Sequence, residues 1–163
     1  MHFRQLIEAM KNILLDSCEN VKITDFGFAR LLKIGEKSKT FCGSRAYLAP
    51  EIIRAQPYDG YQSDIWSAGV VLYVMITGMM PYDDRNVQKM LERQLQHRII
   101  YPQATKISVD AKRLIFDILH PIPHRRLTIE QVIQSKWLAN VKYRMLDQAI
   151  SNDSLTSDSE NII

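Results

Sequence analysis

The sequence predicts a mainly α-helical domain with one short β-hairpin near its start. Three observations carry this expectation. Two strand-like runs, Ile13-Leu14-Leu15 and Val21-Lys22-Ile23, flank the turn cluster Asp16-Ser17-Cys18-Glu19-Asn20. Ile65 to Tyr82 forms eighteen residues without a charge. Beyond it, apolar residues recur at helical spacing in two further segments.

Taken in chain order, Phe3 to Met10 reads as a short amphipathic helix, and the two strand runs follow it. Residues 28–47 show no sustained periodicity. They carry Gly35, Gly43 and many Lys, Ser and Thr, and read as a long ordered loop. Pro50 suits the first turn of a short helix. A long apolar helix is expected from about Gln62 to Thr77, ended by Gly78. Asn86 to His97 is amphipathic, with Val87, Met90, Leu91 and Leu95 on one face. Ser108 to Leu119 has Ser108 as N-cap and Ala111, Leu114, Ile115 and Ile118 at helical spacing. Thr128 with Gln131 three residues later is a capping-box pattern opening a last helix. From Ser151 onward the chain is rich in Ser, Asp and Asn, too polar to bury a core, and is expected to be disordered.

Composition excludes several classes. Hydrophobic residues make up 46% and charged residues 24%, as in an ordinary globular domain. The net charge of +3 comes without an aromatic-interleaved basic stripe, so nucleic acid is not expected as a partner. Cys18 and Cys42 form neither a disulfide framework nor a metal spacing, which fits reduced thiols in an intracellular, cytoplasmic protein. The start of the chain lacks an apolar core of signal-peptide length. The uncharged stretch reaches the length of a membrane span. Gly69, Gly78, Pro81 and its acidic rather than basic flanks favour a buried core helix, so no membrane is expected.

Asp25-Phe26-Gly27 is followed twenty-four residues later by Ala49-Pro50-Glu51. By itself the first triplet fits a strand running into a turn. It also fits a carboxylate held at a strand end for magnesium, a hard cation that takes one or two protein oxygens and keeps its waters. Asn12, across the two strand runs, would lie at the same end of the hairpin. With these motifs in order come Asn12-Ile13-Leu14-Leu15-Asp16, Val21 to Arg30, Thr40 to Glu51, Ser63-Asp64-Ile65-Trp66-Ser67-Ala68-Gly69-Val70, Met80 to Asp84 and Arg125-Arg126-Leu127-Thr128. The segment from Lys11 to Leu138 therefore resembles the C-terminal lobe of a serine/threonine protein kinase. It is most similar to the calcium/calmodulin-kinase-like branch that includes the testis-specific serine kinases.

That resemblance implies a role for each matched residue. Asn12 and Asp25 match the magnesium-binding pair, with ATP and Mg2+ as the family's cofactors. Thr40 falls on the activation-loop phosphorylation site and Arg30 on a residue that contacts the phosphate, although an unmodified loop threonine is the simpler alternative. Ser44 matches the hydroxyl that docks the substrate segment. Glu51 and Arg126 match a buried ion pair. Asp64 matches an anchor of the catalytic loop, and Trp66 and Gly69 match packing positions. The implied partners are protein substrates or regulatory proteins.

One part of the pattern fails. In the family motif H-R-D-L-x-x-x-N the base aspartate stands five residues before the asparagine. Anchored on Asn12, that position is Ile7, with Gln5 and Leu6 at the motif's histidine and arginine. Residues 1–10 instead resemble a remnant of the helix that precedes the catalytic loop. On this reading 11–140 is a partial kinase domain, 141–150 a C-terminal helix extension and 151–163 the disordered acidic tail. The N-lobe is absent and the chain inactive by itself. The alternative is a non-catalytic, pseudokinase-like binding or scaffold fragment. Either way, part of the Ile65–Met80 helix is expected to be uncovered, which invites chaperones.

Overall fold

The computed structural model describes residues 12–17, 20–25, 37–38 and 44–139. Chain order begins with a hairpin. β1 (Ile13–Leu15) and β2 (Val21–Ile23) pair antiparallel with Ile13 opposite Ile23 and Leu15 opposite Val21. Its turn is tied by Asp16, which accepts from the Asn20 backbone at 2.9 Å and from its side-chain amide at 3.0 Å. This is the local competition for backbone donors that makes Asp and Asn turn residues.

Within the stretch expected to be one loop, β3 (Lys37–Ser38) pairs antiparallel with β4 (Tyr58–Asp59), which leads into the central helix. A single 3-10 turn, Arg45–Tyr47, precedes α1 (Pro50–Ile53). α2 (Gly60–Thr77) starts two residues earlier than its apolar run suggests, because the Asp59 carboxylate caps it by accepting from Tyr61 N–H at 2.9 Å. It stops where Gly78 takes φ 70, a left-handed conformation that glycine adopts without a Cβ penalty. α3 (Val87–Leu95) and α4 (Val109–Ile118) are capped by Asn86 and Ser108, and α5 (Ile129–Ile133) opens on a complete Thr128–Gln131 capping box. Among the described residues no helix is long and apolar enough to cross a membrane.

α2 lies between two apolar clusters. On one side Trp66, Val70 and Tyr73 meet Leu48 and Ile52 near α1, Met90 of α3, and Ile115 and Leu119 of α4. On the other, Ile65 meets Leu114 and Ile118 of α4, with Leu127, Val132, Trp137 and Leu138 packed against them. Gly69 makes the α2–α4 approach possible. A Cβ there would overlap Ile118 Cγ2 and stand 2.9 Å from Leu119 Cδ2.

α4 buries Ala111, Leu114, Ile115 and Ile118, the residues its spacing picks out. α3 departs from its expected face. It ends at Leu95, not His97, and Leu95 is 44% exposed while Gln94 is fully buried. The reason is polar: Gln94 Nε2 donates to the Leu48 carbonyl at 3.3 Å, so an amide rather than an alkyl chain takes the inward position. Residues 1–10, including the helix expected there, and 141–163 lie outside the described residues.

Candidate active-site face

Asn12 and Asp25 sit at the open end of the hairpin. Thr24 N–H donates to the Asn12 carbonyl at 2.8 Å, one ladder step beyond Ile13–Ile23, so the two candidate ligands emerge from adjacent strand ends. Asp25 has φ 60, a region that aspartate enters more readily than most residues and that turns the chain sharply after β2. Its side chain is exposed. A carboxamide and a carboxylate fit a magnesium ion that retains most of its water shell. Among the described residues no group of three His, Cys, Asp or Glu converges to hold a metal outright.

Ser44 is exposed and extended, at φ −73 and ψ 132, and precedes the 3-10 turn without capping it through its side chain. The turn itself is anchored from behind. Ser67 Oγ of α2 donates to the Tyr47 carbonyl at 3.1 Å, and Gln94 holds the next carbonyl, that of Leu48. These two contacts, across 20 and 46 residues, have no local sequence signal.

Glu51 and Arg126 form the most enclosed polar cluster on this side. Arg126 Nη1 and Nη2 donate to the two Glu51 carboxylate oxygens at 2.7 and 2.6 Å. Arg126 Nη1 also donates to the Gln62 carbonyl at 2.8 Å, and its Nε to the His120 carbonyl at 2.8 Å. The guanidinium lies over the Trp66 ring, 5.0 Å from its centroid. With Arg126 side chain at 0% exposure and Glu51 at 7%, the pair is dry. It joins α1, the start of α2 and the segment before α5.

Trp66 is fully buried and stacks on Tyr82 at 6.0 Å. Burial pushes the Tyr82 phenol above its ordinary range, so it stays neutral. Asp64, one turn into α2, keeps an exposed side chain, and desolvation by the surrounding protein raises its carboxyl above the usual value. Ile7, Arg30 and Thr40 lie outside the described residues.

The protein kinase domain model matches residues 9–138. The chain belongs to the protein kinase family. Its relatives are serine/threonine kinases. It is 41% identical to testis-specific serine/threonine-protein kinase 2 of Mus musculus, over 90% of this chain and 47% of that protein. It is 42% identical to testis-specific serine/threonine-protein kinase 1 of Homo sapiens, over 78% of this chain and 36% of that protein. With testis-specific serine/threonine-protein kinase 3 of Homo sapiens it shares 41% identity over 85% of this chain and 57% of that protein. The chain thus spans about half the length of the curated relatives it matches.

Proposed function

We propose that this chain is a serine/threonine kinase polypeptide of the calcium/calmodulin-kinase-like branch that carries C-lobe residues only and does not transfer phosphate by itself. The observation that carries the reading is the register from Asn12. Five residues upstream, where the family motif places the base that orients the substrate hydroxyl, stands Ile7, which has no proton acceptor. None of the six glycines are spaced as a G-x-G phosphate-covering loop requires. Phosphoryl transfer depends on positioning and charge stabilisation, and this chain retains one side of that arrangement.

Asn12 and Asp25 would hold magnesium, which when bound would supply positive charge against the nucleotide phosphates. Ser44 would face the substrate segment, Asp64 would steady whatever loop approaches α2, and a phosphate on Thr40 would be answered by Arg30. Trp66 and Gly69 pack α2, and Glu51 with Arg126 holds the activation segment to the helices. In domain terms, 1–10 belongs with the helix before the catalytic loop, 11–140 is the partial kinase domain, 141–150 a C-terminal extension and 151–163 an acidic end.

A second reading, a non-catalytic binding chain, is favoured by exposed apolar side chains on both hairpin strands. Leu14, Leu15, Val21 and Ile23 are 49–67% exposed, and Met75 of α2 is 62% exposed. Such a surface suits a regulatory protein or a chaperone. Thermal shift separates nucleotide binding from its absence. With about 5 mM Mg-ATP, several times the upper end of usual KM values, the melting temperature is expected to move no more than that of Asp25→Ala. A saturable, magnesium-dependent rise lost in Asp25→Ala would show nucleotide held at the hairpin end, and phosphate transfer from it to a serine/threonine peptide would overturn the reading.

A further inference from the structure

His97 follows α3 with φ 53, and its ring lies flat on Phe116 of α4 at 3.7 Å between centroids. Its Nε2 is 2.7 Å from the Phe116 carbonyl, so the ring donates there and locks the end of α3 to the end of α4. Beside this lock runs a shallow groove of about 470 Å³. Its floor is apolar, formed by Ile99, Tyr101, Val109 and Phe116. Val109 is 81% exposed and Phe116 39%, so two apolar side chains of α4 face solvent beside the groove.

The rim is basic. Arg98, Lys112 and Arg113 line it, and no acid does. Arg113 is answered by Asp117 at 2.7 Å, one turn along α4. Lys112 sits 5.4 Å from the Tyr101 ring centroid, which holds its ammonium over the floor. Neither Arg98 nor Lys112 is paired with a carboxylate among the described residues.

We propose that this groove docks an acidic segment of a partner protein, with one aromatic or aliphatic side chain on the floor and flanking carboxylates on Arg98 and Lys112. Charge complementarity selects the partner, and the apolar floor selects a polypeptide over a phosphate polymer, which has no alkyl group to seat there. The inference deepens the protein-binding reading above and is independent of phosphoryl transfer, since none of its residues lies at the hairpin end.

The test is fluorescence anisotropy with the full chain and a labelled peptide of Glu and Ser around a single Phe. Binding is expected to weaken about tenfold in Arg98→Glu/Lys112→Glu and at least about threefold in Val109→Ser. It should also weaken as salt rises through the range where the screening length falls below about 8 Å. These side chains are exposed, so an unchanged circular dichroism melt confirms that each variant folds. The matching peptide with Lys for Glu, or with Ser for Phe, should bind more weakly than the parent. Equal binding of all three peptides, or wild-type affinity in Arg98→Glu/Lys112→Glu, would overturn the proposal. So would tighter binding after Asp153→Asn/Asp158→Asn/Glu160→Gln, which would give the groove to the chain's own acidic end.

Discussion

Replacing Arg126 with methionine is the sharpest test of how this fold is held together. The substitution keeps an unbranched side chain of similar reach above Trp66 but removes every donor. Glu51 would then keep a carboxylate at 7% exposure with neither of its 2.6 and 2.7 Å partners, and the Gln62 and His120 carbonyls would lose theirs. Breaking one side of a buried pair typically costs about 3–5 kcal/mol, most of it the desolvated charge left behind. For a chain of this size that corresponds to roughly 10 °C in melting temperature. Glu51→Gln keeps the volume and an acceptor oxygen but leaves the Arg126 cation buried without a counter-charge, and is expected to cost about 3 kcal/mol or more. Glu51→Leu/Arg126→Met removes both charges, so it should be more stable than Arg126→Met alone. Urea unfolding at constant slope reads these variants, together with Glu51→Leu alone, as midpoints. If the double variant instead loses the sum of its two single substitutions to within about 0.5 kcal/mol, the buried-charge reasoning is wrong.

Two further outcomes follow from the geometry. Gly69→Ala places a methyl against Ile118 Cγ2 and Leu119 Cδ2 and should destabilise by about 1–3 kcal/mol, while the exposed neighbour Ala68→Ser should be near neutral by the same urea midpoint. Burial holds the His97 pKa below its ordinary value, and His120 is shifted the same way mainly for the same reason. Because the folded state favours the neutral rings, their contribution is full above about pH 6.5 and is lost as pH falls from there through the lowered folded-state values. Melting temperature should therefore drop between pH 7.5 and 5.5, and less so in His97→Asn, whose side chain tolerates the left-handed backbone; an equal drop would refute the assignment to His97.

Local chemistry made much of this fold legible in the sequence. Turn residues between two β-branched and aliphatic runs mark the hairpin, and Ser108, Thr128 and Gly78 mark helix ends because capping needs only neighbours in sequence. What stayed hidden depends on distant partners. Nothing near Gln94 signals that its amide would reach Leu48 and displace Leu95 from the core. Nothing near Lys37 signals a strand pairing with Tyr58–Asp59. The Glu51–Arg126 pair was readable only through resemblance to a family, and even then not the two carbonyls that complete the arginine's bonding. At the candidate site the hairpin puts the Asn12 and Asp25 backbones at one end, whereas Thr40 and Arg30 lie outside the described residues.

Phosphoryl transfer by the isolated chain decides whether Asn12 and Asp25 suffice without a base at position 7. Purified chain, free of other kinases, is incubated with radiolabelled ATP, magnesium and a mixed serine/threonine peptide substrate. Incorporation no greater than that of Asp25→Ala is expected, since Ile7 stands where the family places its base. Steady incorporation by the wild-type chain, abolished by Asp25→Ala, would contradict it.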